Sequence, residues 1–175
     1  MKNAFHYETK IGVIGIVENG EGITHLNLGR IKDSHVTLIE TPLLRRAYEQ
    51  LTEYLEQDRR VFDLPLITQG TEFQQKVWRA LQCIPYGKTC SYKEIAEKVG
   101  NVKACRAVGM ANNKNPIAIF IPCHRVIGAN GKLVGYAGGL DIKEKLLELE
   151  RVEKVELEDV FGSELTKKKS KWESP

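Results

Sequence analysis

At 175 residues, with 42% hydrophobic and 28% charged side chains, the chain has the balance of a soluble globular protein of one domain or two small ones. Its formal net charge of +3 excludes a strongly polyionic chain, and no apolar run approaches the length that a bilayer span needs. The start, Met1 to His6, lacks an apolar signal core, so a cytoplasmic location is expected, or a nuclear one in a eukaryotic cell.

Residues 11–17 and 23–28 are apolar runs separated by Glu18-Asn19-Gly20-Glu21-Gly22, which predicts a hairpin in a β-rich first 30 residues. Thr41-Pro42 is a helix start, and Leu43, Leu44, Ala47, Leu51, Tyr54 and Leu55 follow at helical spacing. Residues 62–66 read as extended. Residues 1–69 are thus expected to form a small sheet with one covering helix, without evident chemistry.

Gln69-Gly70 is the expected boundary. Beyond it, Thr71 with Gln74 forms a capping box that opens a helix with Phe73, Val77 and Leu81 inward. Ser91 with Glu94 is a second capping box, and Gly100 suits the helix end. Asn101 is expected to cap a third helix over residues 102–112. Two short helices joined by a tight turn outline a helix-turn-helix. Residues 117–121 are apolar and read as a strand. Asp141 with Glu144 predicts a last helix lined by Ile142, Leu146 and Leu149 and ending near Val152. Residues 153–175 are charged and read as a mobile tail.

The charge is unevenly spread. Residues 76–132 carry ten basic side chains and two acidic ones, Glu94 and Glu97. A polyanionic partner and a plain solvated face account for this about equally well. The third helix offers Ala104, Cys105, Ala107, Gly109 and Ala111, nearly bare side chains that make few base-edge contacts but allow close approach to a minor groove. Arg106 is its one long cation, and is either an intercalating side chain or a surface charge. None of the four cysteines, Cys83, Cys90, Cys105 and Cys123, forms a C-x-x-C pair, and no metal site is expected. Cys123 lies in Ile121-Pro122-Cys123-His124-Arg125-Val126, where neighbouring positive charge favours the nucleophilic thiolate. Taken alone, the hexapeptide fits a packed core cysteine at least as well.

Taken together the motifs resemble the O6-alkylguanine-DNA alkyltransferase family, also called methylated-DNA–protein-cysteine methyltransferases. The residues that carry the resemblance are Gly70-Thr71, Phe73-Gln74, Val77-Trp78, Ile84-Pro85-Tyr86-Gly87, Ser91-Tyr92, Arg106-Ala107-Val108-Gly109, Asn115-Pro116, the hexapeptide around Cys123, Gly135-Tyr136, Gly138-Gly139, Lys143 and Glu150. The resemblance runs from about residue 61 to about residue 150. It implies an α/β (α+β) chain: a ribonuclease H-like sheet-plus-helix domain over 1–69, then a mainly helical, winged-helix-like DNA-binding and transfer domain over 70–152.

The implied activity is stoichiometric repair, with the alkyl group of O6-alkylguanine passing to Cys123. His124 would be the base, Glu150 its partner, Asn115 the support of the turn, and Tyr92 the group that stabilises the leaving guanine. Arg106 would fill the gap left by the flipped nucleotide. Tyr92, Lys93, Asn101, Ala104 and Ala107 would face DNA, and Val126, Tyr136, Ala137 and Gly138 would wall the base pocket. The resemblance implies double-stranded DNA as partner, no cofactor, no metal, no membrane, and a monomer, with cooperation between copies along DNA left open. Ala137 and Ala118 stand where some members carry serine and proline, so sensitivity to bulky free-base inhibitors is an open expectation. The rival reading is a sensor that binds alkylguanine without transfer; a Cys–His hydrolase leaves the helix-turn-helix unexplained.

Overall fold

A computed structural model describes residues 1–136 and 138–161, with side-chain surroundings through Arg151. The chain divides into two compact units. The first comprises Met1–Gln69 and Pro116–Phe120, and the second Gly70–Asn115 and Ile121 onward.

The first unit is built on a four-stranded sheet. Strands β1 (Lys2–Thr9), β2 (Gly12–Glu18), β3 (Ile23–Leu28) and β4 (Val36–Leu38) lie in the order β3-β2-β1-β4. The β1–β2 and β2–β3 pairs are antiparallel, and β4 joins β1 in parallel. At three residues, β4 is too short to show a period and was not legible beforehand. Helix α1 (Pro42–Leu55) starts where expected: the Thr41 hydroxyl accepts the Leu44 amide, and Leu44, Ala47, Leu51, Tyr54 and Leu55 are buried. Ile14, Ile16, Ile23 and Leu26 supply the sheet's share of this core.

Residues 116–120 differ from the expected strand. Leu26 donates its amide to Pro116, and Ile117, Ile119 and Phe120 are buried in the first unit, with Phe120 edge-on to Phe62. At Ile119 φ is +72°, and the Phe120 amide bonds back to the Ala118 carbonyl at 2.8 Å. That is a γ-turn, a conformation a β-branched residue adopts only under tertiary constraint. The segment is apolar because it is buried, and a short apolar run carries no period to separate turn from strand.

In the second unit, α2 (Glu72–Gln82) and α3 (Tyr92–Lys98) both open on complete capping boxes, as predicted. Val77 and Leu81 are buried, and Phe73 is half-buried. The Trp78 indole donates to the Ala111 carbonyl at 2.9 Å, tying α2 to α4 (Cys105–Asn113). That third helix begins three residues later than expected. Asn101 uses its side-chain oxygen to accept the Lys103 amide in a local turn, and the N-cap position falls to Ala104, which has no capping side chain. Strands β5 (Cys90–Ser91) and β6 (Val126–Ile127) form a short parallel pair.

The last helix, α5, spans Leu140–Phe161, so the expected stop near Val152 is corrected. Residues 152–161 contain no Gly or Pro and are rich in good helix formers, and nothing local ends the helix before Gly162. The remainder of the expected tail, residues 162–175, lies outside the described residues. The buried face of α5 is Lys143, Leu146, Leu147 and Glu150, an i, i+3, i+4, i+7 stripe, rather than Ile142, Leu146 and Leu149. Two charged residues occupy stripe positions, so a hydrophobic pattern alone rotates the helix by one residue. No helix among the described residues is long and apolar enough to cross a membrane.

Candidate active site

Cys123 is presented by two consecutive tight turns. Pro122 has φ −79° and ψ 64°, and the Cys123 amide bonds across it to the Ile121 carbonyl at 2.8 Å. This is an inverse γ-turn, which proline's fixed φ favours. A 3₁₀ turn over Cys123–Arg125 follows. Two asparagines hold the bend from outside. Asn115 donates its side-chain amide to the Ile121 carbonyl at 2.8 Å, and Asn112 donates to the Cys123 carbonyl at 3.4 Å. Because the backbone turns at Pro122, Cys123 and His124 escape the opposite-face rule of an extended strand.

His124 is fully buried, and its Nε2 lies 2.8 Å from Glu150 Oε2. Glu150 is also bonded by Arg125, through Nε at 3.0 Å and Nη2 at 3.1 Å, and by the Gly87 amide at 2.9 Å. The Gly87 donor is aimed by a turn at Pro85–Lys88, closed by a 3.0 Å bond from the Lys88 amide to the Pro85 carbonyl. Gly87 sits at φ +74°, a position glycine takes without strain. Burial works against charge on Glu150, but His124 and Arg125 together hold its carboxyl well below the ordinary carboxylate range. Burial pushes the His124 imidazole down, and Arg125 and Lys143 add to this, while Glu150 opposes it. The resting pair is therefore a carboxylate and a neutral imidazole. The hydrogen-bond network assigns the ring proton to Nε2, which turns the basic Nδ1 away from the carboxylate.

The expected source of positive charge beside the sulfur needs correction. Arg125 is spent on Glu150 and, through Nη1 at 2.7 Å, on the Ile84 carbonyl. His124 is neutral. Cys123 is itself buried, and burial pushes its thiol up; Asn115, the charge of Lys143, its own amide and Tyr136 act in the opposite direction. The buried Tyr136 hydroxyl meets no well-aligned partner among the described residues and interacts instead with this sulfur, so burial and Cys123 both push its phenol up.

Tyr92 begins α3 and donates its hydroxyl to the Val134 carbonyl at 2.9 Å. Burial, then Cys123, raise its phenol. A Cβ added to Gly109 would meet the Tyr92 ring at 3.8 Å, so the same ring rests against α4. Asn115 and Tyr136 act on the Cys123 sulfur, while His124, paired to Glu150, follows it directly along the chain. Val126 is fully buried in β6, Gly138 is half-buried, and Ala137 lies outside the described residues.

The residues expected to face DNA lie on the outer side of α3 and α4. Arg106 and Ala107 are exposed with Met110 on one helical face, Lys93 is exposed in the first turn of α3, Asn101 is exposed between the helices, and Ala104 is half-buried. Arg106 has no hydrogen bond or ion pair among the described residues. Sequence reasoning missed Asn112, the Gly87 amide and the structural use of Arg125. It met Lys143 only as a motif residue. Lys143 and Glu150 share one signal that could have found both: ionisable residues at core-stripe positions of an amphipathic helix. Among the described residues no group of three or more His, Cys, Asp or Glu side chains is placed to hold a metal ion.

A buried thiol, an imidazole–carboxylate pair and a helix-turn-helix in one compact unit define a class: a DNA-binding protein equipped with a cysteine nucleophile. Comparison with known proteins narrows this. Residues 72–152 match the family profile described as 6-O-methylguanine DNA methyltransferase, DNA binding domain, and residues 5–68 match the ribonuclease-like domain of the same proteins. The methylated-DNA–protein-cysteine methyltransferase of Methanosarcina acetivorans is 52% identical over 150 residues, covering 82% of this chain and 95% of its own length. The constitutive enzyme of Bacillus subtilis is 49% identical over 153 residues, covering 83% and 93%. The crystal structure of Mycobacterium tuberculosis OGT in complex with DNA superposes with a TM-score of 0.80 at 46% identity, covering 85% of this chain and 92% of that one. The chain belongs to the methylated-DNA–protein-cysteine methyltransferase family.

Proposed function

We propose that the protein repairs O6-alkylguanine in double-stranded DNA by moving the alkyl group, once per molecule, to Cys123. The observation that carries this is the Glu150–His124 pair, joined at 2.8 Å and buried beside a buried cysteine, in the unit whose α4 presents an exposed Arg106 with no partner among the described residues. His124 takes the thiol proton, through one water, and Glu150 stabilises the imidazolium that results. The thiolate attacks the alkyl carbon in line. A carbon–sulfur bond forms as the carbon–O6 bond breaks, and the electron pair passes to the guanine. Tyr92 supplies a hydrogen bond or proton at the minor-groove edge of that anion, and the proton held by His124 restores the balance. The product thioether is stable, and no group among the described residues is suited to cleave it.

The guanine must leave the duplex to reach this sulfur, at a cost of a few kcal/mol. Arg106, exposed and without a competing partner among the described residues, fills the vacancy. The bare Ala107 and the half-buried Ala104 let α4 approach the groove, while Lys93 and Asn101 meet the backbone. Val126, Tyr136 and Gly138 wall the extruded base. One chain carries the complete site, so a monomer suffices.

Intact-mass measurement after mixing with duplex DNA containing O6-methylguanine tests the proposal. A gain of one methylene unit, mapped to Cys123, is the expected result. Tight binding with an unchanged mass would overturn transfer and leave the sensor reading.

A further inference from the structure

Asn112 shares the buried face of α4 with Val108 and Ala111 and is only 2% exposed. Its side-chain amide donates to the Cys123 carbonyl at 3.4 Å. That contact fixes which end of the carboxamide is which, because the reverse orientation would set oxygen against oxygen. Oδ1 is therefore the end turned from the carbonyl. It is buried and has no hydrogen-bond partner among the described residues. A buried acceptor left unpaired costs free energy, and in a native site it calls for a donor.

The neighbours show where that donor enters. Gly109 lies one turn back on the same face of α4, and a Cβ added there would meet the Tyr92 ring at 3.8 Å. A Cβ added to Gly135 would meet the side chain of Asn113 at 3.5 Å. The last turn of α4 is thus bordered by Tyr92, by the pocket segment at Gly135 and by the Cys123 carbonyl, and Asn112 stands among them. We propose that Asn112 is a specificity-determining residue: its Oδ1 accepts the 2-amino group of the flipped O6-alkylguanine. The inference rests on the proposed transfer and deepens it. Alkylation at O6 removes the N1 proton, so the 2-amino group is the one donor left on the base. It lies on the minor-groove edge, the edge assigned to Tyr92. One side chain then donates to that edge while the other accepts from it. In the free chain the Tyr92 hydroxyl is on the Val134 carbonyl at 2.9 Å, and this corner opens when it turns to the base. A base without the amine, O6-alkylhypoxanthine or O4-alkylthymine, leaves Oδ1 buried and unpaired.

The experiment is single-turnover transfer from duplexes carrying O6-methylguanine or O6-methylhypoxanthine, identical but for the amine, with wild type and Asn112→Leu. Leucine keeps the volume and removes both polar atoms. Wild type should react about five- to a hundredfold faster with O6-methylguanine. In Asn112→Leu the two rates should come within about threefold of each other. Loss of the bond to the Cys123 carbonyl slows both substrates alike, so the ratio separates base recognition from support of the turn. Equal rates in wild type, or an undiminished ratio in Asn112→Leu, overturn the proposal and leave Oδ1 to a bound water. If Asn112→Leu does not fold, NMR of the Asn112 side-chain amide in Cys123→Ser answers the same question. Its signals should move on binding the O6-methylguanine duplex and stay near their free positions with O6-methylhypoxanthine; the same movement with both overturns the proposal. Wild type that gains no mass on either duplex sinks the transfer reading instead, which keeps the two failures apart.

Discussion

Replacing Glu150 with Gln keeps the volume and removes the charge on which the site converges. The carboxylate accepts His124 Nε2 at 2.8 Å, Arg125 Nε at 3.0 Å, Arg125 Nη2 at 3.1 Å and the Gly87 amide at 2.9 Å. A carboxamide has one acceptor oxygen, and its NH₂ must face some of these donors. Two losses follow, and they separate. Stability falls because the guanidinium of Arg125 is left buried without its anion, a change worth about 3–5 kcal/mol against a total of roughly 5–15. Transfer slows because the imidazolium formed at His124 loses a hydrogen bond to a charged acceptor, worth about 1.5–3 kcal/mol, or about ten- to a hundredfold in rate. Urea unfolding reads the first, and rapid-quench single turnover at a temperature where circular dichroism shows the variant folded reads the second. Arg125→Met is the control. It leaves the imidazole its carboxylate, so it should lose comparable stability but keep more of the rate. A folded Gln variant that transfers within about threefold of wild type would refute the proton relay.

Arg106→Ala should leave stability within about 0.5 kcal/mol, because the side chain is exposed and has no partner among the described residues. It should slow transfer on duplex DNA by about tenfold or more and barely change reaction with a free alkylated base; equal losses on both would remove the intercalation role. Cys123→Ser should bind alkylated duplex and gain no mass. Its affinity should fall steadily with salt as phosphate counterions are exchanged, and a flat salt response in a binding titration would contradict the contacts assigned to Lys93 and Arg106. The folded-state carboxyl of Glu150 is held below its ordinary value of 4.5. Its contribution is therefore complete above that pH and is lost as pH falls through the lower folded value. Thermal melts should show a loss of stability below about pH 4.5 that Glu150→Gln does not share; parallel acid profiles would contradict the assignment.

Much of the second unit was legible because its signals are local. Thr71 with Gln74 and Ser91 with Glu94 specify helix starts within four residues, and both form in full. Pro122 restricts its own backbone, so a bend at Cys123 follows from the hexapeptide. What could not be read depends on distant partners. Residues 117–121 are as apolar as a strand, yet Ile119 takes φ +72° under the packing around it. Asn101 has the side chain of a cap but spends it on Lys103, so α4 starts later. The three-residue β4 exists only because β1 lies beside it.

The charge around the sulfur is the case where adjacency misleads most. His124 and Arg125 follow Cys123 directly, and the hexapeptide reads as a thiol flanked by cations. In the fold both turn to Glu150, which comes from α5, 25 residues or more along the chain. That pairing leaves the imidazole neutral, as a base must be, and removes the guanidinium from the sulfur. Lys143, two turns before Glu150 on the same face of that helix, holds the Val134 and Gly135 carbonyls instead. The helix thus carries two opposite charges with separate tasks. Its carboxylate holds the His124 imidazole, and its ammonium pins the segment that leads into Tyr136. Spacing of seven residues puts both on the buried stripe, where each finds the partner that makes its burial tolerable. Exchanging their positions would leave both charges in the core but set the ammonium against Arg125 and the carboxylate against the Val134 and Gly135 carbonyls. A Lys143→Glu, Glu150→Lys double variant should accordingly fail to fold or fail to transfer, despite unchanged composition and net charge.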